Sequence, residues 1–181
     1  IEEGKYDHNA YYNSGSYNVY YGNKLVATIK DHNGGQGWGT ITYDQGLYHS
    51  SNVAICNLLD QGYVTKDVLT EKLNDLGFFQ GDTMDGLTCS SSINAYTRKN
   101  AGRLEYLTTG FGQGSTVTPY QLLKAYSVFG NDGKTVQPHI VDKVVNPETN
   151  KVVYQATPKY SKQIFSTKTI NKEKDIMLGV I

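Results

Sequence analysis

The stretch Thr118-Pro119-Tyr120-Gln121 constrains this chain more than any other, because so few backbones satisfy it. The threonine oxygen takes up an orphan amide at a helix start, the proline sets the first helical φ, and the glutamine reaches back to the cap. The helix it opens offers Leu122, Leu123, Tyr126 and Phe129 as its expected buried face and stops near Asn131-Asp132-Gly133. A second box, Thr42-Tyr43-Asp44-Gln45, predicts a short helix leading to Ser50-Ser51-Asn52, and residues 52–61 continue as a helix with Val53, Ile55, Cys56 and Leu59 inward. Thr65 to Leu76 reads as a further amphipathic helix, with Val68, Leu69, Leu73 and Leu76 inward and Gly77 as its stop.

Strand signals surround these helices. Residues 17–21 and 25–30 predict a hairpin about Gly22-Asn23, and residues 139–145 and 151–155 another about Asn146 to Asn150. Asp31 to Gly39 is a polar, glycine-rich loop, and residues 80–103 read as loop throughout. The sum is an α+β chain, helix-rich in its middle. Ile1-Glu2-Glu3-Gly4 resembles the last turn of a helix, and a helix capped by Ser166 or Thr167 runs through Ile170 and Ile176 to Ile181. With both ends read as cut through helices, the chain is expected to be part of something longer.

Charge narrows the function classes. Lys and Arg number 17 against 17 Asp and Glu, with no basic block, so nucleic acid is not an expected partner. No apolar window approaches the roughly 20 residues of a membrane span. Cys56 and Cys89 stand outside any C-x-x-C pair and read as two free thiols. His8, His32, His49 and His139 lack metal-ligand spacing, and Asp31-His32 reads as a loop hydrogen-bonding pair; no metal and no cofactor are expected.

Two stretches carry candidate chemistry. Gly110-Phe111-Gly112-Gln113-Gly114 is neither a dinucleotide fingerprint nor a P-loop; its glycines read as close backbone packing before the capped helix. Ser50-Ser51-Asn52, taken alone, reads as a helix cap. No G-x-S-x-G surrounds it, and no lysine in the chain has a serine three residues before it, so nothing local makes either serine a nucleophile.

Taken in order, however, S-S-N, G-F-G-Q-G, T-P-Y-Q-L-L-K-A-Y, N-D-G-K and P-H-I-V resemble the transpeptidase domain of class B penicillin-binding proteins. The resemblance spans residues 1–181 as a partial domain and is weakest over 80–103. It implies the helix-rich part of the penicillin-binding/serine β-lactamase-like fold, with peripheral β-hairpins. It also implies a serine acyltransferase that cross-links D-Ala-D-Ala stem peptides of peptidoglycan and is acylated by β-lactams.

The family works with S-x-x-K, S-x-N and K-[ST]-G, and only the middle motif is present. The chain alone is therefore expected to be inactive. Ser50 takes the role of proton relay, and Asn52 that of holding the catalytic lysine and the substrate amide. Ser51 packs away from the site, while Gly112, Gln113 and Gly114 lie near the substrate cleft. For the longer parent protein the family implies an N-terminal membrane anchor, an extracytoplasmic site and partners in the division or elongation machinery. Apolar faces opened by the missing parts would favour dimerisation. The alternative class is a non-catalytic binding domain, either a β-lactam sensor or a carbohydrate-binding module. The latter requires coplanar exposed aromatics, whereas Trp38 and the tyrosines at 11–12 and 20–21 read as strand cover.

Overall fold

A computed structural model describes residues 1–180. The element order is β1 (Tyr11–Asn13), β2 (Ser16–Tyr21), β3 (Lys24–Lys30), β4 (Thr40–Thr42), α1 (Tyr43–Tyr48), α2 (Asn52–Asp60) and α3 (Lys66–Asp75). There follow β5 (Asp82–Met84), β6 (Leu87–Cys89), α4 (Arg103–Gly110), α5 (Pro119–Tyr126), β7 (Lys143–Val145), β8 (Val152–Gln155) and α6 (Thr167–Met177). Each sheet is a two-stranded antiparallel ribbon: β1 with β4, β2 with β3, β5 with β6, β7 with β8. Such ribbons are marginal alone and need a helix against one face.

That helix is α2. Its buried residues Val53, Ala54, Cys56 and Leu59 cover more than one face, so it lies between two clusters. Toward one side Val53 and Ala54 meet Tyr12, Ile41 and Tyr43, with Tyr12 stacked on Tyr43 at a ring separation of 5.0 Å. Toward the other, Cys56 and Leu59 meet Val19 and Ile29 of the β2–β3 ribbon and Leu107 of α4. Burial lifts the Cys56 thiol to a pKa of about 12. Cys56 and Cys89 are both unpaired, as the sequence suggested. A third cluster, Val128, Ile164 and Ile170, anchors the C-terminal part.

The sequence-derived caps are found where expected. Thr42, Ser51, Thr118 and Ser166 each accept an amide hydrogen three residues on, and so does Thr65, which the sequence reading places inside its helix rather than at the cap. Ile1 to Gly4 is a turn closed by a Gly4 N–H bond to Ile1 O, with Gly4 left-handed. The reading that carried the last helix to Ile181 extends one residue outside the described residues.

Three expectations are corrected. Residues 80–103 are not loop throughout: β5 and β6 form a hairpin, and Ala95–Thr97 make a 3-10 turn. The hairpin is held by Lys124 and Tyr120 on the Asp82 carboxylate, and by Ile140 and Val141 amides on Asp85. Next, α4 went unread because Gly102 offers no capping side chain; its start is held by Glu105, which accepts from Gly102 N at 2.7 Å.

The third correction concerns α5, which is turned from its expected phase. Gln121, Ala125 and Val128 face inward, while Leu123 and Tyr126 are 64% and 59% exposed and Leu122 is also exposed. Gln121 is the reason. Its side chain accepts from Ser92 and Thr118 N and donates to Gln80 O, so an amide hydrogen-bonded through both its oxygen and its nitrogen occupies the place a hydrophobe was expected to take.

On α3 the apolar residues keep their expected side, yet none of the helix is fully buried. Val68, Leu69, Leu73 and Leu76 line a cavity of about 480 Å3 that opens between α3, Phe165 and Ile170. No helix among the described residues is long and apolar enough to cross a membrane.

Candidate functional site

The three residues Ser50-Ser51-Asn52 do three different local jobs. After α1, Ser50 N donates to Leu47 O and Ser51 N to Gly46 O, the paired bonds of a Schellman ending with Ser50 at its left-handed position. Glycine usually takes that position, because a Cβ there costs about 1–2 kcal/mol. Ser50 takes it at φ +50. Ser51 is the next helix's N-cap: its hydroxyl accepts from Ala54 N at 3.0 Å and donates to Asp31 Oδ1 at 2.9 Å. With its proton and a lone pair so committed and only 4% exposed, Ser51 is structural. Asn52 begins α2 and donates from Nδ2 to Lys30 O, which leaves its carbonyl oxygen uncommitted.

Ser50 differs from both. It is exposed, and among the described residues its hydroxyl has no hydrogen-bond partner. Everything that orders this turn is done by its neighbours.

The bed beneath them is Asp31, 2% exposed, directly after β3. Its Oδ2 accepts from Gly15 N at 2.8 Å, and its Oδ1 from Ser51 Oγ and from Val53 N at 3.1 Å. A carboxylate at a helix N-terminus also meets the positive end of the helix dipole. Stripping one buried donor of its acceptor costs about 1–3 kcal/mol. Asp31 therefore does bond the loop as its sequence position implied, and additionally carries the start of α2. Beside it, Trp38 lies in the 31–39 loop and packs, as expected, against the cluster built on β1 and β4; it also stacks on His49 with ring centroids 4.4 Å apart. His32 flanks the indole at 5.4 Å. In this stack Trp38 is half-buried while His49 and His32 are exposed, and it stands immediately before Ser50. Trp38 and His49 lie face to face and His32 is tilted to the indole, rather than side by side in the coplanar platform of a carbohydrate-binding face.

The glycine segment sits on a different part of α2. Gly110 ends α4 against α2, where an added Cβ would fall onto Leu59 and within 2.9 Å of Ile55 Cγ2. Gly112 is the left-handed residue of another Schellman ending, with Gly112 N on Thr109 O and Gln113 N on Thr108 O. Gln113 and Gly114 are exposed. Ser50 and Asn52 are thus brought together at one helix start. Gly112, Gln113 and Gly114 approach the same helix through Gly110, one and two turns further along, and among the described residues make no hydrogen bond to either. Asp31 as a support for the motif was missed, since its partners are 16 to 22 residues away and leave no local spacing signal.

Ser50 thus presents a free hydroxyl on a left-handed turn beside the half-committed Asn52 amide, and comparisons with known proteins give the family to which the chain belongs. The chain belongs to the family described as the penicillin binding protein transpeptidase domain, which matches residues 1–180. It is 32% identical over 145 residues to stage V sporulation protein D of Bacillus subtilis, covering 80% of this chain and 22% of that protein. It is 27% identical over 109 residues to a peptidoglycan D,D-transpeptidase FtsI homolog of Mesostigma viride, covering 59% of this chain and 18% of that protein. The chain thus spans about a fifth of the length of these relatives.

Among solved structures, PBPA of Mycobacterium tuberculosis superposes with a TM-score of 0.82 at 15% identity, covering 98% of this chain and 40% of that one. Penicillin binding protein 2X of Streptococcus thermophilus gives 0.78 at 24%, covering 98% and 25%. These two likenesses establish the fold, an α+β penicillin-binding transpeptidase architecture.

Proposed function

We propose that residues 1–181 are a partial transpeptidase domain of a longer peptidoglycan D,D-transpeptidase and supply the second of its three catalytic motifs. Ser50 carries the reading: an exposed hydroxyl on a left-handed turn that every neighbouring bond orders and none engages. In the parent, a serine outside this chain attacks the penultimate D-alanine carbonyl of a stem peptide. The acyl-enzyme ester forms, the D-Ala-D-Ala amide breaks, and the terminal D-alanine leaves with a proton delivered to its nitrogen. Ser50 relays that proton. Asn52 offers its free carbonyl oxygen to the catalytic lysine or to a substrate N–H. Gly112, Gln113 and Gly114 contribute to the substrate cleft beyond α2.

In the same reading β-lactams acylate the parent's serine, and the parent is anchored in the cell membrane with its site on the extracytoplasmic face. Division or elongation proteins are its partners. This chain alone, with neither S-x-x-K nor K-[ST]-G, does not turn over. The cavity beside α3 is covered by further polypeptide in the parent. The isolated chain is therefore expected to self-associate through it, which light scattering over a concentration series measures; a monomer at every concentration counts against that cover.

Labelled penicillin tests the core of the reading. The parent should label through its serine, the Ser50→Ala parent about 10²-fold or more slowly, and this chain not at all. A Ser50→Ala parent labelling at the unaltered rate, or label on this chain, would overturn it.

A further inference from the structure

The first motif residue is free and strained, so something else must hold it at a usable position. We infer that Asp31 is the positioning residue of this site, fixing Ser50 and Asn52 by gripping the residues around them; this rests on the roles proposed above for those two. The grip is unusually local on one side and remote on the other. One carboxylate oxygen takes both Ser51 Oγ and Val53 N, the residues on either side of Asn52. The main-chain oxygen of the preceding residue, Lys30, takes Asn52 itself. Two consecutive residues at the end of β3 thereby hold three consecutive residues at the start of α2.

The other carboxylate oxygen ties this assembly to Gly15 N, and Asp31 N returns a bond to Gly15 O at 2.9 Å. Gly15 lies in a bend that another stretch of main chain approaches closely: a Cβ there would stand 2.9 Å from Gly35 O. The reference point for the motif is therefore main chain rather than another side chain. From the opposite direction, α1 closes its Schellman ending onto Ser50 and Ser51. Ser50 is clamped between the end of α1 and Asp31's hold on α2. Its left-handed φ follows from that clamp without any bond from its own hydroxyl, which stays available for the proton relay. Positioning of this kind acts on the rate of the chemical step, since reacting groups displaced by about an ångström lose on the order of 10²-fold.

The test uses the full-length transpeptidase and a fluorescent penicillin, with acylation rate at saturation and penicillin affinity measured separately. Asp31→Asn keeps the shape but turns one acceptor into a donor facing N–H or O–H. Its acylation rate should fall about 10- to 100-fold with affinity little changed. In a Ser50→Ala background the same change should lower the rate by a smaller factor than it does alone, because the relay is gone and only Asn52 is left to misplace. Asp60→Asn, at the far end of the same helix and also removing a tethering carboxylate, should leave the rate as it is.

Should Asp31→Asn fail to fold, Ser51→Ala keeps the Gly15 and Val53 bonds and should show a smaller fall, about 3- to 10-fold. An unaltered rate in Asp31→Asn or in the folded Ser51→Ala, an equal fall in Asp60→Asn, or a full further fall on top of Ser50→Ala would each overturn the assignment. If Ser50→Ala slows acylation and Asp31→Asn does not, Asp31 alone loses its role. If Ser50→Ala has no effect, the proton-relay reading falls first and the inference with it.

Discussion

Two helix endings in this molecule share one hydrogen-bond pattern and differ in one residue. At the end of α4 the left-handed position is Gly112, at the end of α1 it is Ser50. The endings of α2 and α3 repeat the pattern with Gly62 and Gly77. Backbone geometry therefore accounts for Gly112 completely, whatever else that glycine does. It argues against Ser50, which stays in a conformation that its own side chain makes less stable. Among these four endings only that of α1 sets a side chain in the left-handed position, although Phe79, Asp85, Asp132 and Asn150 take positive φ elsewhere; the relay proposed for Ser50 is a reason to keep a side chain there at that cost.

The sharpest way to break this comparison is to make the two endings alike. Ser50→Gly in the parent transpeptidase should slow penicillin acylation by about 10²-fold or more. It should also stabilise the fold by up to about 1 kcal/mol, read from a denaturant midpoint. A destabilised Ser50→Gly protein would show that the turn needs the serine for its own sake.

Two residues before the other ending, Gly110→Ala brings a Cβ onto Leu59 and Ile55 and should cost about 1–3 kcal/mol. Gly112→Ala meets nothing within 4 Å but inherits φ +84, and should cost about 1–2 kcal/mol by backbone strain alone. Urea unfolding ranks the two, and a neutral Gly112→Ala would mean that the ending relaxes.

The smallest effect concerns how the two endings are joined. Arg103 and Tyr17 bond Asp60 at the C-terminal end of α2 and so tie α4 to it. Burial raises the Asp60 carboxyl, but the bonds from Arg103 and Tyr17 outweigh that and leave it below its ordinary value. A depressed carboxyl contributes stability above the unfolded-state pKa of about 3.9 and loses it as pH falls through the lower folded value. The unfolding midpoint should therefore respond to this tie only below about pH 4, and Asp60→Asn should flatten that part of the profile. A midpoint that rises as pH is lowered through about 4 in the unaltered protein and not in Asp60→Asn would contradict the sign.

What could be read from the sequence divides along the length of the bonds involved. Caps at Thr42, Ser51, Thr118 and Ser166 were legible because each closes within three residues. The start of α4 was not, because its only signal is Glu105 reaching back to a glycine amide. The phase of α5 was misread because a glutamine looks solvent-facing until its partners Gln80 and Ser92 are known, 41 and 29 residues away. At the site, Ser50-Ser51-Asn52 could be located by its family order, yet neither the left-handed turn nor the carboxylate beneath it leaves a mark in the local spacing. The physical cause is the same throughout: a one-dimensional pattern encodes periodicity and caps, and says little about which distant atom satisfies a buried polar group.

The burial of Cys56 has a practical corollary. With its sulfur enclosed and its proton held to about pH 12, the thiolate is scarce and shielded at neutral pH, whereas Cys89 is only partly covered. An alkylating reagent applied to the native chain should modify Cys89 first and reach Cys56 only when α2 lifts away from the β2–β3 ribbon. The two modification rates would then time the opening of the motif-bearing helix in any variant, without a probe having to be introduced.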